Sequence, residues 1–207
     1  MASEALPDLW RRAMSSIPDV TVTRGLSDSE VDRAEEAYGI AFPSDLRECL
    51  QAAVPTTPDV GPEKRAKFPD WRRLHDPGII LRLSWPWEGW VFDLEQGAKR
   101  AWLPEWGERP DELASQLSVA RAQLEQAPRL VPIFGHRYMP AEPTDAGNPV
   151  FSVYQVDIIH YGVDLEDYLN VEFLGRPHGK WTREPRNIRF WSRAVQHSDE
   201  DSRVEDE

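Results

Sequence analysis

Cysteine is all but missing from this chain: Cys49 is the only one in 207 residues. That excludes an intrachain disulfide framework and a cysteine-built zinc cage, and it suits a reducing compartment. Basic side chains are the next shortage, 24 against 36 acids, for a net charge of −12. An acid excess argues against a general nucleic-acid binder, which needs cationic surface to displace counterions. It argues equally against docking on anionic lipid. No apolar run approaches the ~18 residues of a membrane span. Met1-Ala2-Ser3-Glu4 opens without the basic and apolar regions of a signal peptide. Tryptophan, in contrast, is plentiful: nine residues in a chain that is 40% hydrophobic. A chain of this length and composition can bury a core without metal or disulfide. The expectation is a soluble, cytoplasmic, acidic globular protein with neither nucleic acid nor membrane as partner.

Motifs that carry chemistry are scarce as well. There is no G-x-S-x-G elbow and no G-x-G-x-x-G after a strand. Gly175-Arg176-Pro177-His178-Gly179-Lys180-Trp181-Thr182 imitates a phosphate loop. It is one residue short between the glycines, and Trp181 stands where a hydroxyl should bind magnesium, so it reads as an ordinary loop. The histidines, His75, His136, His160, His178 and His197, show no i, i+4 pair and no H-E-x-x-H. His160 lies in an apolar strand and reads as a hydrogen-bonded sheet residue. Cys49 falls on the apolar stripe of a helix and reads as a small buried hydrophobe. His136, Arg137 and Tyr138 follow a strand and precede a loop rich in glycine and proline. They and Asp157, the one acid among apolar strand residues, are the candidates for structuring that loop or lining a pocket. A buried acid needs partners, and Asp157 is expected to bond backbone amides at a strand bend. No catalytic set, metal site or cofactor is expected.

Periodicity divides the chain. Residues 3–14 carry Leu6, Leu9, Trp10 and Met14 near helical spacing. Ser27 and Glu30 have the spacing of a capping box, and Gly39 stands where a helix ends, which predicts a helix over 28–38. Leu46, Cys49, Leu50 and Ala53 form one buried stripe, ended by Val54-Pro55. Residues 55–67 read as a loop, part of 70–84 as a helix, and 90–95 with 99–103 as a strand pair. Leu113, Leu117, Ala120 and Leu124 predict a helix over 110–126, with Pro110 in its first turn. Residues 130–134 read as a strand and 135–148 as a loop. Residues 149–161 read as one long strand or two short ones bent near Asp157. Asp164 caps a helix over 165–172. Residues 175–187 look irregular, and Ile188, Phe190 and Trp191 suggest a last packed element. The ten residues 198–207 hold six acids and one arginine and should lack structure. Helices and strands alternate irregularly, an α+β pattern.

Six tryptophans fall within 71–106, three of them in Trp85-Pro86-Trp87-Glu88-Gly89-Trp90. A large aromatic core is one reading, and an interaction surface is another, since tryptophan is enriched at binding hot spots. The three indoles cannot all bury in one direction, so at least one of them should be partly exposed.

Leu26-Ser27-Asp28-Ser29-Glu30, followed by Ala34-Glu35 and by Tyr38-Gly39-Ile40-Ala41-Phe42-Pro43-Ser44-Asp45-Leu46-Arg47, resembles the opening signature of the SUKH superfamily. The later blocks are similar to a bacterial branch of it. They are Phe68-Pro69-Asp70-Trp71-Arg72, Trp102-Leu103-Pro104-Glu105-Trp106-Gly107, Leu130-Val131-Pro132-Ile133, Gly135-His136-Arg137-Tyr138 and Gly147-Asn148-Pro149-Val150-Phe151-Ser152-Val153. An Asn-Gly turn common after the second helix in the family is replaced by Val54-Pro55-Thr56-Thr57. The resemblance implies a single α+β domain, a mostly antiparallel central sheet flanked by helices, over 26–174. Residues 1–25 would then be a helical extension, 175–197 a basic packing extension and 198–207 an acidic tail. It implies no catalytic residues. Many bacterial members are immunity proteins that bind and neutralise a toxin, often a nuclease, and fungal relatives act as regulatory scaffolds.

The expected function is therefore non-enzymatic binding of a protein partner. Trp85, Trp87, Trp90 and Glu88, with Glu142 and Asp145, are the candidate contact residues. Residues 1–60 carry 11 acids and 5 bases, and residues 131–174 carry 7 and 1, so each block holds −6. The +5 of 175–197 is expected to cancel the −5 of 198–207. An acidic face shared by the two blocks would steer a basic partner. A regulatory scaffold without a toxin partner is the alternative, and an enzyme using His136, Arg137 and Asp157 is the third reading.

Overall fold

The computed structural model describes residues 4–57 and 68–204, with side chains to Ser198. Apolar residues at both odd and even positions of the later strands demand cover on both faces of a sheet, and that is what forms. Strands β3 (Leu130–Phe134), β4 (Arg137–Pro140), β5 (Val150–Tyr154) and β6 (Asp157–Gly162) make an antiparallel meander. Alternation sends Val131, Met139 and Val150 into one core and Tyr138, Phe151, Val153 and Ile158 into another. Helices α1 (Leu6–Ser15), α2 (Asp28–Tyr38), α3 (Ser44–Ala52) and α6 (Leu165–Glu172) supply the first core. Helices α4 (Pro77–Glu95), α5 (Leu113–Leu124) and α7 (Trp191–Val204) supply the second. A two-stranded ribbon, β1 (Thr21–Arg24) with β2 (Ala53–Thr56), runs antiparallel beside α1 and α3. The architecture is α+β, as the periodicity indicates.

The first layer follows its local signals. At α2 the Glu30 amide donates to Ser27 Oγ at 3.3 Å, and the Ser27 amide donates to Glu30 Oε2 at 2.8 Å. Arg24 clamps the same carboxylate through Nη1 and Nη2, each at 2.7 Å. Those contacts hold the Glu30 carboxyl far below its ordinary range, Arg24 contributing most. Gly39 closes α2 at φ 61°. Gly25 separates β1 from α2 where a methyl group would fall on the Gln51 carbonyl, so the close approach requires glycine. Asp164 caps α6 by accepting from the Asp167 amide at 2.7 Å. The N-terminal helix is built into this core, with Trp10 buried and its indole N–H donating to the Ala53 carbonyl at 2.9 Å.

The second layer departs from the expected elements. Residues 90–95 are not a strand; they are the last turns of α4, and residues 99–101 form a 3-10 turn. The reason lies at Pro86, inside the helix. Proline has no N–H for the carbonyl four residues back, which ordinarily breaks a helix. Here that carbonyl, of Arg82, accepts from the Tyr138 hydroxyl at 3.1 Å, so the helix continues. Residues 71–75 are turns, and α4 starts at Pro77, where Asp76 accepts from the Gly78 and Ile79 amides at 2.8 and 3.2 Å. Helix α5 begins at Leu113 rather than near Pro110.

Three further differences concern short strands and the C-terminus. Residues 53–56 pair as β2, although Pro55 lies within them; the loop expected over 55–67 falls outside the described residues from 58 on. The expected 135–148 loop contains β4, and 149–161 is two strands joined by a turn at Gln155-Val156, with Gln155 at φ 56°. Helix α7 carries Trp191, Ala194 and Val195 into the second core, and it continues to Val204, through most of the segment expected to lack structure.

Candidate functional site

The β3–β4 and β5–β6 turns leave the same end of the meander, and the N-terminal half of α4 passes beside them. Between them lies a groove of about 540 Å³. Ile79, Leu81, Arg82 and Trp85 of α4 form one wall, Gly135, His136, Tyr138 and Tyr154 of the sheet form another, and Thr56, Thr57 and parts of the 68–76 segment, Arg73 among them, complete the lining. Arg82 joins the walls: its Nη2 donates to the Gly135 carbonyl at 2.7 Å, while its own carbonyl receives Tyr138. Burial lowers the Arg82 pKa from its ordinary value, but a guanidinium stays charged. Burial also pushes the Tyr138 phenol up to about 12. Behind the groove Trp71 packs edge-on against Tyr38 and Phe42, with ring centroids 5.6 and 5.0 Å away. The Asp76 amide donates to Tyr38 Oη at 3.0 Å, which fixes the start of α4.

Of the three clustered indoles, Trp85 is 39% exposed at the groove mouth and Trp90 is 1% exposed. Trp87 is half-buried beneath the Arg121 guanidinium, 5.1 Å from its ring centroid. The chain therefore does not bury all three in one direction, and only Trp85 offers a large contact surface. Trp90 is a core residue, its indole N–H donating to the Ala101 carbonyl at 2.8 Å. Glu88 is exposed on the outer side of α4. Glu142 and Asp145 are exposed too, but on the β4–β5 connection, which leaves the opposite end of the sheet. The structure does not bring them together with Trp85 and Glu88.

His136, Arg137 and Asp157 also separate. His136 lines the groove, where partial enclosure and then the adjacent Arg137 cation hold its imidazole below the ordinary histidine range. Its carbonyl accepts from the Val153 amide at 2.9 Å, so its backbone pins the turn. Arg137 turns to the other sheet face, donating to Glu172 at 3.2 Å and Ser152 at 2.9 Å, and lies 3.6 Å above the Tyr161 ring. Asp157 is exposed and accepts from the Ser198 hydroxyl at 3.3 Å; it is not the buried acid expected from its neighbours, because the hairpin turn lifts it out of the sheet. Neither Arg137 nor Asp157 is among the described residues that line the groove. Among the described residues no group of three or more His, Cys, Asp or Glu could hold a metal ion, and no helix is long and apolar enough to cross a membrane.

The two acidic blocks pack against each other in the first layer, where α1 lies on α6 and the start of α3 meets the β4–β5 connection. The Ser44 amide donates to the Thr144 carbonyl at 2.8 Å, and the Gly147 amide to Asp45 Oδ2 at 2.9 Å. The basic stretch pairs with the second block: Arg176 with Asp167 and Arg183 with Asp164, so that block is partly neutralised where it stands.

Sequence reasoning missed the apolar residues that share the surface with Trp85. Ile80 and Leu81 are 49% and 45% exposed, Phe92 is 47% exposed, and Tyr154 on the neighbouring strand is 57% exposed. Leu81, Trp85, Glu88 and Phe92 follow i, i+4, i+7, i+11, a signal that emerges once 77–95 is taken as one helix.

Comparison with family models, with curated proteins and with solved structures returns no match.

Proposed function

We propose that this protein is a non-enzymatic protein-binding module of the immunity type, acting in the cytoplasm without a cofactor, which neutralises a cognate toxin by covering it. The observation that carries the reading is the exposed apolar face of α4 beside the groove, centred on Trp85. Contiguous exposed apolar surface on a water-soluble domain marks an interaction site, and a partly exposed tryptophan is the residue type most enriched at hot spots. The net charge of −12 supports a basic partner, such as a nuclease that must itself hold polyanions. Occlusion would then be steric at α4 and electrostatic over the acidic surface. The resemblance to the SUKH superfamily is consistent with this reading and with the alternative of a regulatory scaffold that has no toxin partner.

Co-expression with the toxin encoded beside it tests the proposal. Growth rescue, with the two proteins co-purifying at low salt and less so at high salt, is the expected result. Absence of rescue together with absence of any retained partner would remove it. A retained partner without a toxin gene nearby would favour the scaffold.

A further inference from the structure

The exposed side of α4 has a chemistry that names its occupant. The helix is apolar nearly all round, and such helices are ordinarily buried. Its inner side, Ile79, Pro86, Gly89, Trp90 and Leu94, is buried. Its outer side presents Ile80, Leu81, Trp85 and Phe92, all at least 39% exposed. From Leu81 to Phe92 this strip extends roughly 16 Å, about three helical turns. The charges on the outer side are Glu88 and Glu95, both acidic and both exposed. The β5–β6 turn, which packs on Gly89 and gives its Val156 amide to Asp93 at 3.1 Å, adds the exposed Asp157. Among the described residues the nearby cations lie beside the strip: Arg73 and Arg82 line the groove, Arg73 paired with Asp70 and Arg82 bonded to the Gly135 carbonyl, Arg121 sits over Trp87 on the α5 side, and Lys99 and Arg100 follow the end of the helix.

We infer that this strip docks a basic amphipathic helix of the partner, with apolar side chains laid along Leu81, Trp85 and Phe92 and lysines or arginines facing Glu88, Glu95 and Asp157. The inference rests on the protein-binding reading and adds the surface and the chemistry of what it takes. Helix-in-groove recognition lays an apolar face along such a strip, and Glu88, in line with Trp85 and Phe92, and Glu95, one turn beyond, supply the complementary charge. Charge also decides against a second copy. A two-fold pairing centred on the strip would set Glu88 near its own counterpart, on chains that each carry −12. The same acids disfavour an anionic membrane.

The test uses the full chain and labelled synthetic helices of roughly 18 residues. One has a leucine face and lysines elsewhere, one replaces the lysines with glutamate, and one replaces the leucines with serine. The leucine–lysine peptide should bind saturably in fluorescence anisotropy, and the other two should not. Leu81→Ser with Phe92→Ser, and separately Glu88→Lys with Glu95→Lys, should each weaken it about tenfold or more, a change of ~1.4 kcal/mol. The control Glu36→Lys with Glu48→Lys, which makes the same charge change on α2 and α3, should leave it unchanged. The charge pair lies wholly on the surface and carries the test if the serine pair folds poorly. No saturable binding, or binding indifferent to both α4 pairs, overturns the inference. A wild-type dimer abolished by the serine pair also overturns it, by giving the strip to a second copy. Growth rescue is scored separately. An α4 pair that rescues as well as wild type removes the inference and leaves the immunity reading. A wild type that rescues nothing removes the immunity reading and leaves the peptide result to stand alone.

Discussion

Trp10 and Trp90 occupy corresponding places on opposite faces of the sheet. Each is 1% exposed, and each gives its indole N–H to a backbone carbonyl, at 2.9 and 2.8 Å. The helices around them differ. In the first layer the outward positions are charged: Asp8, Arg11 and Arg12 on α1, Asp32, Arg33 and Glu36 on α2, and Glu48 on α3. Water completes that layer. In the second layer α4 turns Ile80, Leu81, Trp85 and Phe92 outward, so water does not. Equivalent anchoring with unequal cover shows that the exposed strip is not a by-product of a weak core. It is a separate feature, added to a helix that is held as firmly as its counterpart.

The largest expected effects test the equivalence of the anchors. Trp10→Ala and Trp90→Ala should each cost ~3–5 kcal/mol in urea unfolding. Trp85→Ala, on the open strip, should cost less than ~1 kcal/mol. A Trp85 variant as destabilised as Trp90→Ala would mean that the strip belongs to the core. Next is the device that carries α4 past its proline. Tyr138→Phe should cost ~1–3 kcal/mol, because it removes the hydroxyl that donates to the partly buried Arg82 carbonyl. In a Pro86→Ala background the helix supplies that donor itself, so the same substitution should cost measurably less. Strict additivity in this double-mutant cycle would contradict the explanation. In the first layer α2 opens on a purely local capping box, so Ser27→Ala should cost ~1 kcal/mol in thermal unfolding.

The smallest effect concerns pH. The Tyr138 phenol in the folded chain titrates at about 12, above the ~10 of an unfolded tyrosine. Its contribution is therefore complete below pH ~10 and is lost as the pH rises toward the folded value. Glu30 runs the other way. Its folded value lies below the ordinary carboxylate range, so its contribution is present above pH ~4.3 and is lost on acidification below that. Tyr138→Phe should flatten the alkaline limb of a stability-against-pH curve, and Glu30→Gln the acid limb. Neither variant should alter the other limb.

The limits of sequence reading follow the same division. Helices α2 and α6 have the ends that Ser27, Gly39 and Asp164 mark, because a cap acts within four residues of what it caps. Pro86 marks a helix end just as strongly, and the mark misleads because its remedy, the Tyr138 hydroxyl, lies 56 residues from the carbonyl it satisfies. The β1–β2 ribbon is invisible for a related reason: Thr21 pairs with Thr56 across 35 residues, and Pro55 is tolerated in a ribbon that has an open edge on each strand. At the candidate site, Trp85 was legible from the crowding of three indoles. Leu81 and Phe92 were not, because they declare themselves only on a continuous helix. Tyr154 needed the hairpin. Glu142 and Asp145 looked equivalent to Glu88 by charge, and only the strand order sends them to the far end of the sheet.

The most direct measurement is fluorine NMR of the protein labelled with 5-fluorotryptophan, which gives one signal for each of the nine tryptophans. Trp85→Phe, Trp10→Phe and Trp90→Phe assign the three that matter. In the free protein the Trp85 signal should respond to a soluble relaxation agent, and those of Trp10 and Trp90 should not. Addition of the leucine–lysine peptide should shift and protect Trp85 while leaving Trp10 in place. A Trp85 signal indifferent to both additions, or one that moves no more than Trp10, would contradict a docking strip on α4.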